Sequence, residues 1–165
     1  MINSTVTRTA SIATAILSTM LLTACTGTRP ADIGVTSLDT GGNRLTPCPE
    51  SPNCVSSFED NKDETHYINA YSINNSTKEA SWNLLQSIIK QNDSAEIISA
   101  DDSYIYAEFT SSVMRFVDDT EFMLDAENKL IHLRSASRLG YRDFDVNRQR
   151  LEAIRIELEK SSVVE

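Results

Sequence analysis

Side chains alternate along residues 67–73, the stretch YINAYSI, in the way that is typical of a β-strand. Four further strands are predicted downstream, at residues 94–100, 104–112, 120–125 and 130–138. The last two are separated by the short polar stretch AENK, which predicts a hairpin turn. The pattern therefore predicts a sheet of about five strands, most of them sequence neighbours.

Two segments have helical spacing instead. Ser76, followed three residues later by Glu79, is a capping box that predicts the start of the first helix. Its apolar face consists of Trp82, Leu85, Ile88 and Ile89. The second helix is predicted over residues 146–160, with Asp145 as its N-cap. Its apolar stripe consists of Leu151, Ile154 and Leu158.

The resulting order β-α-β-β-β-β-α predicts an α+β fold. We expect a single domain over residues 47–160, with an antiparallel sheet and both helices packed on one face, followed by a short tail at residues 161–165.

The N-terminal residues predict a secreted, lipid-anchored protein. A mildly apolar run follows Arg8 and ends in Leu22, Thr23, Ala24 and Cys25, which has the form of a bacterial lipobox. We therefore predict a lipoprotein signal peptide over residues 1–24, cleavage between Ala24 and Cys25, and acylation of the Cys25 thiol. The alternative is an ordinary signal peptide whose cleavage site happens to adjoin a cysteine.

Acylation with two or three chains would hold the protein durably on a membrane that it does not span. Residues 25–46 lack hydrophobic periodicity and are rich in Gly, Thr and Asp, so they predict a flexible tether. Thr26 is not aspartate, which in hosts that sort lipoproteins by this position favours the outer membrane, facing the periplasm.

Charge limits the class of partner. Removal of residues 1–24 leaves 14 Lys and Arg against 24 Asp and Glu, a formal charge of −10. Such a chain repels nucleic acid, so we expect no nucleic-acid partner. A small anionic ligand or another envelope protein remains compatible with a local basic surface, and no cofactor is predicted.

Two cysteines remain in the stretch PCPESPNCVSS. A disulfide between Cys48 and Cys54 is favoured because the predicted compartment is oxidising. A zinc site would need His66 and His132, which are not in ligand spacing, and the pair lacks the C-x-x-C spacing of thiol oxidoreductases. Reactive thiols and a metal site are the alternatives.

A polar cluster is predicted between residues 111 and 150. It consists of Arg115, Asp118, Asp119, Glu121, Arg134, Ser135, Ser137, Arg138, Asn147 and Arg148. Strand alternation places Arg134 and Arg138 on one face, with Ser135 and Ser137 on the other, while Asn147 lies on the apolar stripe of its helix and needs partners.

Three interpretations of this cluster follow. Arginines paired with carboxylates would form a structural network. Arginine and serine donors would alternatively line a pocket for an anionic ligand. Asp118, Asp119 and Glu121 would otherwise do acid–base chemistry or bind a divalent cation in a hydrolase. Asn53, Ser56 and Ser57 are accessory candidates that we expect to reach the same arginines, and no Ser/His/Asp or Cys/His set is evident.

Three motifs resemble one known family. The stretches CPESPNCVSS, RFVDDTEF and RSASRLGYRDFDVNRQRLEAIR, with their spacings, are similar to the bacterial and chloroplast family designated domain of unknown function 1499. The resemblance covers about residues 45–158. The matching positions are Cys48, Pro52, Asn53, Cys54, Asp118, Asp119, Glu121, Arg134, Ser135, Ser137, Arg138, Gly140, Asn147 and Arg148.

One position departs from the family pattern, since Asp145 stands where members often have glycine. The resemblance implies one folded unit and no particular activity. The leading hypothesis is therefore a cell-envelope lipoprotein with a non-catalytic domain that binds a ligand or partner, and the alternative is a hydrolase or metal-dependent enzyme.

Overall fold

A computed structural model describes residues 26–39, 41–73 and 77–160. The elements in chain order are β1 (Val35–Ser37), β2 (Asn43–Leu45), β3 (Cys54–Ser56), β4 (Tyr71–Ser72), α1 (Lys78–Lys90), β5 (Ala95–Ala100), β6 (Tyr104–Thr110), β7 (Val117–Asp125), β8 (Leu130–Ser137) and α2 (Val146–Lys160). The α+β prediction is confirmed.

Six strands form the main sheet, in the order β3-β8-β7-β6-β5, with β4 also pairing with β8. Every pairing is antiparallel. Strands β7 and β8 are joined by residues 126–129, the predicted hairpin turn, where the Asp125 carboxylate accepts a hydrogen bond from the Asn128 backbone N–H. These two long strands form the centre of the sheet.

Both helices pack on one face of the sheet, as predicted. The apolar faces of α1 and α2 meet Phe122 of β7 and Leu133 of β8 in a continuous core. Trp82 lies in this core and donates its indole N–H to the Asp101 carbonyl at 2.9 Å, so its one polar group is satisfied. Burial of these large apolar side chains is the main favourable contribution to folding.

The start of each helix differs from the prediction. Thr77 is the N-cap of α1 and its hydroxyl accepts from the Ala80 N–H, whereas Ser76 lies outside the described residues. At α2 the capping carboxylate belongs to Asp143, which accepts from the Asn147 N–H at 2.9 Å. Asp145 has φ 64°. This left-handed conformation favours glycine, the residue that the family often has here.

The first predicted strand is largely wrong. Of residues 67–73, only Tyr71–Ser72 form a strand, since Arg148 and Arg155 occupy backbone carbonyls of the preceding residues that a ladder would need. Strand β3 was not predicted, because its three residues follow the cysteine loop and are too short to show alternation.

The second face of the sheet is covered by the segment that was predicted to be a tether. Residues 26–46 contain the hairpin β1–β2, and Leu45 is fully buried. The Gly34 backbone N–H donates to Glu121 Oε1 at 2.8 Å, and Arg29 binds Glu108 on β6. The tether prediction is therefore corrected over its described residues: polar contacts to charged side chains of the sheet hold this segment, although it has no hydrophobic periodicity.

Ala24, Cys25 and residues 161–165 lie outside the described residues, so the predicted signal peptide, acylation site and tail stay predictions. Among the helices that the structure describes, none combines the length and apolar composition needed to cross a bilayer.

Removing the N-terminal segment should destabilise the domain. A chain of residues 45–165 lacks the Gly34 N–H that binds the Glu121 carboxylate, and a hydrogen bond to a charged group contributes about 1.5–3 kcal/mol. We expect its free energy of unfolding to fall by at least this amount relative to residues 26–165, as measured by urea denaturation. Equal midpoints for the two chains would show that residues 26–44 are a tether after all.

Candidate functional site

The predicted polar cluster is divided between the two faces of the sheet. Successive residues of a strand point to opposite faces. In β7, Asp118 and Thr120 therefore lie on the face that carries the helices, whereas Asp119 and Glu121 lie on the face that residues 26–46 cover. All four are buried. The cluster is thus two separate networks rather than one pocket.

Asn147 is the centre of the helix-side network. It is fully buried, as its place on the apolar stripe predicted. Its Nδ2, which has two hydrogens, lies within hydrogen-bonding distance of three acceptors: Asp143 Oδ2 at 2.8 Å, Ser137 Oγ at 3.0 Å and the Asn53 carbonyl at 3.2 Å. Its Oδ1 accepts from Ser135 Oγ at 2.5 Å. These contacts join α2 to β8 and to the residue preceding β3.

Asp118 completes this network through an arginine that was not predicted. Arg150 Nη2 lies 2.5 Å from Asp118 Oδ2, and Nη1 donates to Asn147 Oδ1 at 2.7 Å. The guanidinium also lies over the Phe109 ring, 4.7 Å from its centroid. The sequence spacing could have identified Arg150. It follows the inward-facing Asn147 by three positions, and residues three apart lie on the same face of a helix.

Glu121 is the most enclosed carboxylate of the second network and has no exposed surface. It accepts hydrogen bonds from Tyr104 Oη at 2.7 Å, from the Gly34 N–H at 2.8 Å and from Arg134 Nη1 at 3.1 Å. Burial nevertheless raises the pKa of Glu121 above its ordinary value, since these donors only partly replace the lost water.

Asp119 and Glu108 share the guanidinium of Arg138. Arg138 Nη2 lies 2.7 Å from Asp119 Oδ1 and 2.5 Å from Glu108 Oε1, and Nε donates to Asp119 Oδ2 at 2.9 Å. Tyr106 Oη also donates to Asp119, at 2.5 Å. Burial opposes ionisation of Glu108, but hydrogen bonds from Arg29 and Arg138 outweigh it and lower its pKa. Arg138 is held charged, because its hydrogen bond to Asp119 raises its pKa.

Tyr104, Tyr106 and Glu108 were not predicted as members of this network. They alternate along β6, so all three point to the same face as Asp119 and Glu121. Their common spacing of two was visible in the sequence stretch YIYAE. The missing information was the strand pairing that sets β6 beside β7.

Several predicted members lie elsewhere. Arg115 is exposed, has φ 57° and makes no side-chain hydrogen bond or ion pair with the described residues. Arg148 binds the backbone carbonyls of Glu64, Thr65 and Tyr67. Both predictions of cluster membership are therefore wrong.

The accessory candidates do not reach the arginines either. Asn53 Nδ2 donates to the Gly140 carbonyl at 2.7 Å, which closes the loop after β8. Ser56 Oγ accepts from the Phe58 N–H, and Ser57 Oγ contacts His132 Nδ1 at 3.0 Å. The Ser57 hydroxyl also accepts a hydrogen bond from the Leu133 N–H of β8 at 3.1 Å. The three side chains therefore join loops and backbone groups next to β8 and contact no arginine.

The disulfide between Cys48 and Cys54 is present, with 5.6 Å between the Cα atoms. Cys54 begins β3, so the bridge fixes the chain where residues 26–46 end and the edge of the main sheet starts. Nowhere in residues 26–39, 41–73 and 77–160 do three or more His, Cys, Asp or Glu side chains converge as metal ligands would.

The arginine–carboxylate pairs determine which reactions the site could perform. Asp118, Asp119 and Glu121 each contact an arginine, and Asp118 faces away from the other two. Acid–base catalysis or cation binding by this trio would require them to share an open cleft. The geometry that the enzymatic alternative needs is absent from the described residues, and the arrangement is that of a structural network.

The fold and the site thus define the class: an α+β domain with two buried arginine–carboxylate networks, in which Arg134 Nε is the one buried side-chain polar atom of the described residues without a hydrogen-bond partner. A sequence model of the family "Protein of unknown function (DUF1499)" matches residues 44–158. The chain belongs to this family. No curated protein and no solved structure matches it.

Breaking one arginine pair should cost much more than removing an exposed arginine. Arg134→Met leaves the buried Glu121 carboxylate without its cation, and breaking a buried pair costs about 3–5 kcal/mol. Adding Glu121→Gln should recover much of this loss, because the glutamine is neutral and still accepts from Tyr104 and Gly34. Unfolding in urea measures both changes.

Arg115→Met is the matched control, since an exposed substitution without contacts changes stability by about 0.5 kcal/mol or less. If Arg134→Met cost no more than this control, the network would contribute little to the fold.

Buried Glu121 and half-buried Glu108 should affect stability with opposite pH dependence. The folded pKa of Glu121 is raised, so its contribution is fully present below its unfolded pKa and is lost as pH rises through the folded pKa. The folded pKa of Glu108 is lowered, so its contribution is lost as pH falls through that pKa.

Relative to Glu121→Gln, the wild type should lose stability as pH rises; relative to Glu108→Gln, it should gain stability. Carboxyl ¹³C NMR titration measures the two pKa values directly. A value for Glu121 at or below that of an exposed glutamate would contradict this account.

Proposed function

We propose that this protein is a lipoprotein of the bacterial cell envelope, anchored through acylated Cys25 at the outer membrane and facing the periplasm, whose domain acts by binding rather than by catalysis. The lipobox Leu22 to Cys25 supports the anchor. The disulfide supports an oxidising compartment.

The burial of the carboxylates is the observation that supports the non-catalytic assignment. Asp119 and Glu121 are 1 % and 0 % exposed, and both are paired with arginines of β8 and its end. A general acid or base must reach the proton that it transfers, directly or through one water. Groups enclosed in this way hold β6, β7 and β8 together and leave the binding role to the surface.

Binding groups remain at one end of the sheet, in the turn between β6 and β7 and in the loop between β8 and α2. Arg115 and Arg142 are exposed there and have no side-chain partner among the described residues, so they are free to meet an anionic ligand. Arg134 and Arg138 are committed to carboxylates. A small anionic ligand would therefore meet the loop arginines rather than the predicted cluster.

Cys25→Ala should release the protein from membranes. The loss of the thiol prevents attachment of the acyl chains, without which the remaining signal is a mildly apolar segment. Fractionation of cells that express the full chain measures this, together with mass spectrometry of the mature N-terminal peptide. The double variant Cys48→Ser, Cys54→Ser is the control and should remain membrane-bound.

In a host that sorts lipoproteins by the residue after the cysteine, Thr26→Asp should move the protein from the outer to the inner membrane. The anchor would be overturned if Cys25→Ala associated with membranes as wild type does and the N-terminal peptide of the wild type carried no acyl mass.

A further inference from the structure

Large apolar side chains are exposed together at one end of the sheet, which we call the apolar loop end: residues 111–116 and 138–146. Val113 and Phe144 are each 84 % exposed, and Tyr141 is 70 % exposed. The other exposed members are Met114, Phe116, Leu139 and Val146. Seven of the ten exposed large hydrophobic residues among those described lie here, so the exposure is concentrated rather than scattered.

The two loops are adjacent because β6, β7 and β8 are antiparallel. Thr110 at the end of β6 pairs with Val117 at the start of β7, and the Arg138 N–H donates to the Val117 carbonyl at 3.2 Å. Helix α2 begins at Val146 on the same side. The exposed side chains therefore form one continuous end of the molecule.

The N-terminal segment enters at this same end. Gly27 lies against Arg138 and Leu139, so closely that a Cβ on Gly27 would be 2.9 Å from Arg138 Cβ and 3.2 Å from Leu139 Cγ. The chain then crosses the second face of the sheet, where Arg29 binds Glu108 and the Gly34 N–H binds Glu121. Cys25 precedes Gly27 by two residues, which span at most about 7 Å. The length of the chain therefore limits how far the proposed acylation site can lie from Gly27.

We propose that the apolar loop end rests on the bilayer surface into which the acyl chains of Cys25 insert. This inference depends on the lipid anchor of the proposed function, and it identifies the partner of the exposed loops as a phospholipid interface. Because Gly27 contacts Leu139 and follows Cys25 by two residues, acyl chains in the membrane would bring these loops to the level of the headgroups.

The composition of the loops fits an interface. Aromatic side chains such as Tyr141 and Phe144 partition to the boundary between headgroups and acyl chains. Arg115 and Arg142 are the free cations that would meet lipid phosphates. They balance Asp143 and Asp145, whereas the whole chain carries −9, so anionic lipids repel this end less than the net charge of the chain would suggest.

Depth-dependent fluorescence quenching tests the contact. The mature, acylated protein carrying Phe144→Trp or Val113→Trp is purified from cells that express the full chain. It is reconstituted in vesicles of phosphatidylethanolamine and phosphatidylglycerol, with or without dibrominated phosphatidylcholine. Interfacial residues insert to about 5–10 Å at the headgroup boundary, within reach of the bromines. We expect a blue shift and loss of most of the added emission in brominated vesicles.

Ile156→Trp is the matched control: Ile156 is exposed but lies ten residues beyond Val146, about 15 Å along α2. The native Trp82 is an internal reference, since it is buried and bonded to Asp101 at the opposite end of the sheet. Neither should be quenched.

Flotation of the same vesicles separates the two proposals. If the protein floats but the added emission of the Phe144→Trp and Val113→Trp variants is no more quenched than that of the Ile156→Trp control, the bilayer contact is overturned and the anchor stands. The loops would then bind a protein or a second copy of this chain. If the acylated protein does not float, the proposed anchor itself fails.

Discussion

Three carboxylates within four residues of a central strand constrain this fold more than any other feature. Alternation along β7 sends Asp118 to one face, and Asp119 and Glu121 to the other, and both faces are covered. A buried carboxylate without a cation costs several kcal/mol, so each layer needs its own arginine. The positions of Arg150 on α2 and of Arg134 and Arg138 on and just after β8 meet this requirement.

The same charges fix how the layers are arranged. A one-residue slip of β8 against β7 would move Arg134 and Arg138 to the helix face and leave Asp119 and Glu121 without cations. The second layer also accounts for the N-terminal segment, which supplies the Gly34 N–H and the Arg29 guanidinium to carboxylates that β6 and β7 present. Burial still raises the pKa of Glu121, so this layer specifies an arrangement at some cost in stability.

The features that were predicted correctly from the sequence are those that depend only on the periodicity of apolar and polar residues. Both helices, the long strands of the sheet and the inward position of Asn147 follow from spacings of two and 3.6 residues. The division of the cluster was also accessible, because alternation applies to Asp118 and Asp119 as it does to Arg134 and Ser135. The covering segment was not, since residues 26–46 are rich in glycine and threonine and are held by contacts with residues about 80 positions away. Local composition does not indicate contacts between residues so far apart in the sequence.

Arg138 connects the interior to the exposed end. Its guanidinium forms ion pairs with Asp119 and Glu108, its backbone N–H extends the pairing of β8 with β7, and its Cβ lies against Gly27. The next residue, Leu139, begins the exposed loop. The contact between Gly27 and the start of the exposed loop therefore depends on the buried network. A closed polar interior and an exposed apolar end are two results of one arrangement, because the arginine that pairs with the buried carboxylates also positions the N-terminal segment beside the exposed loop.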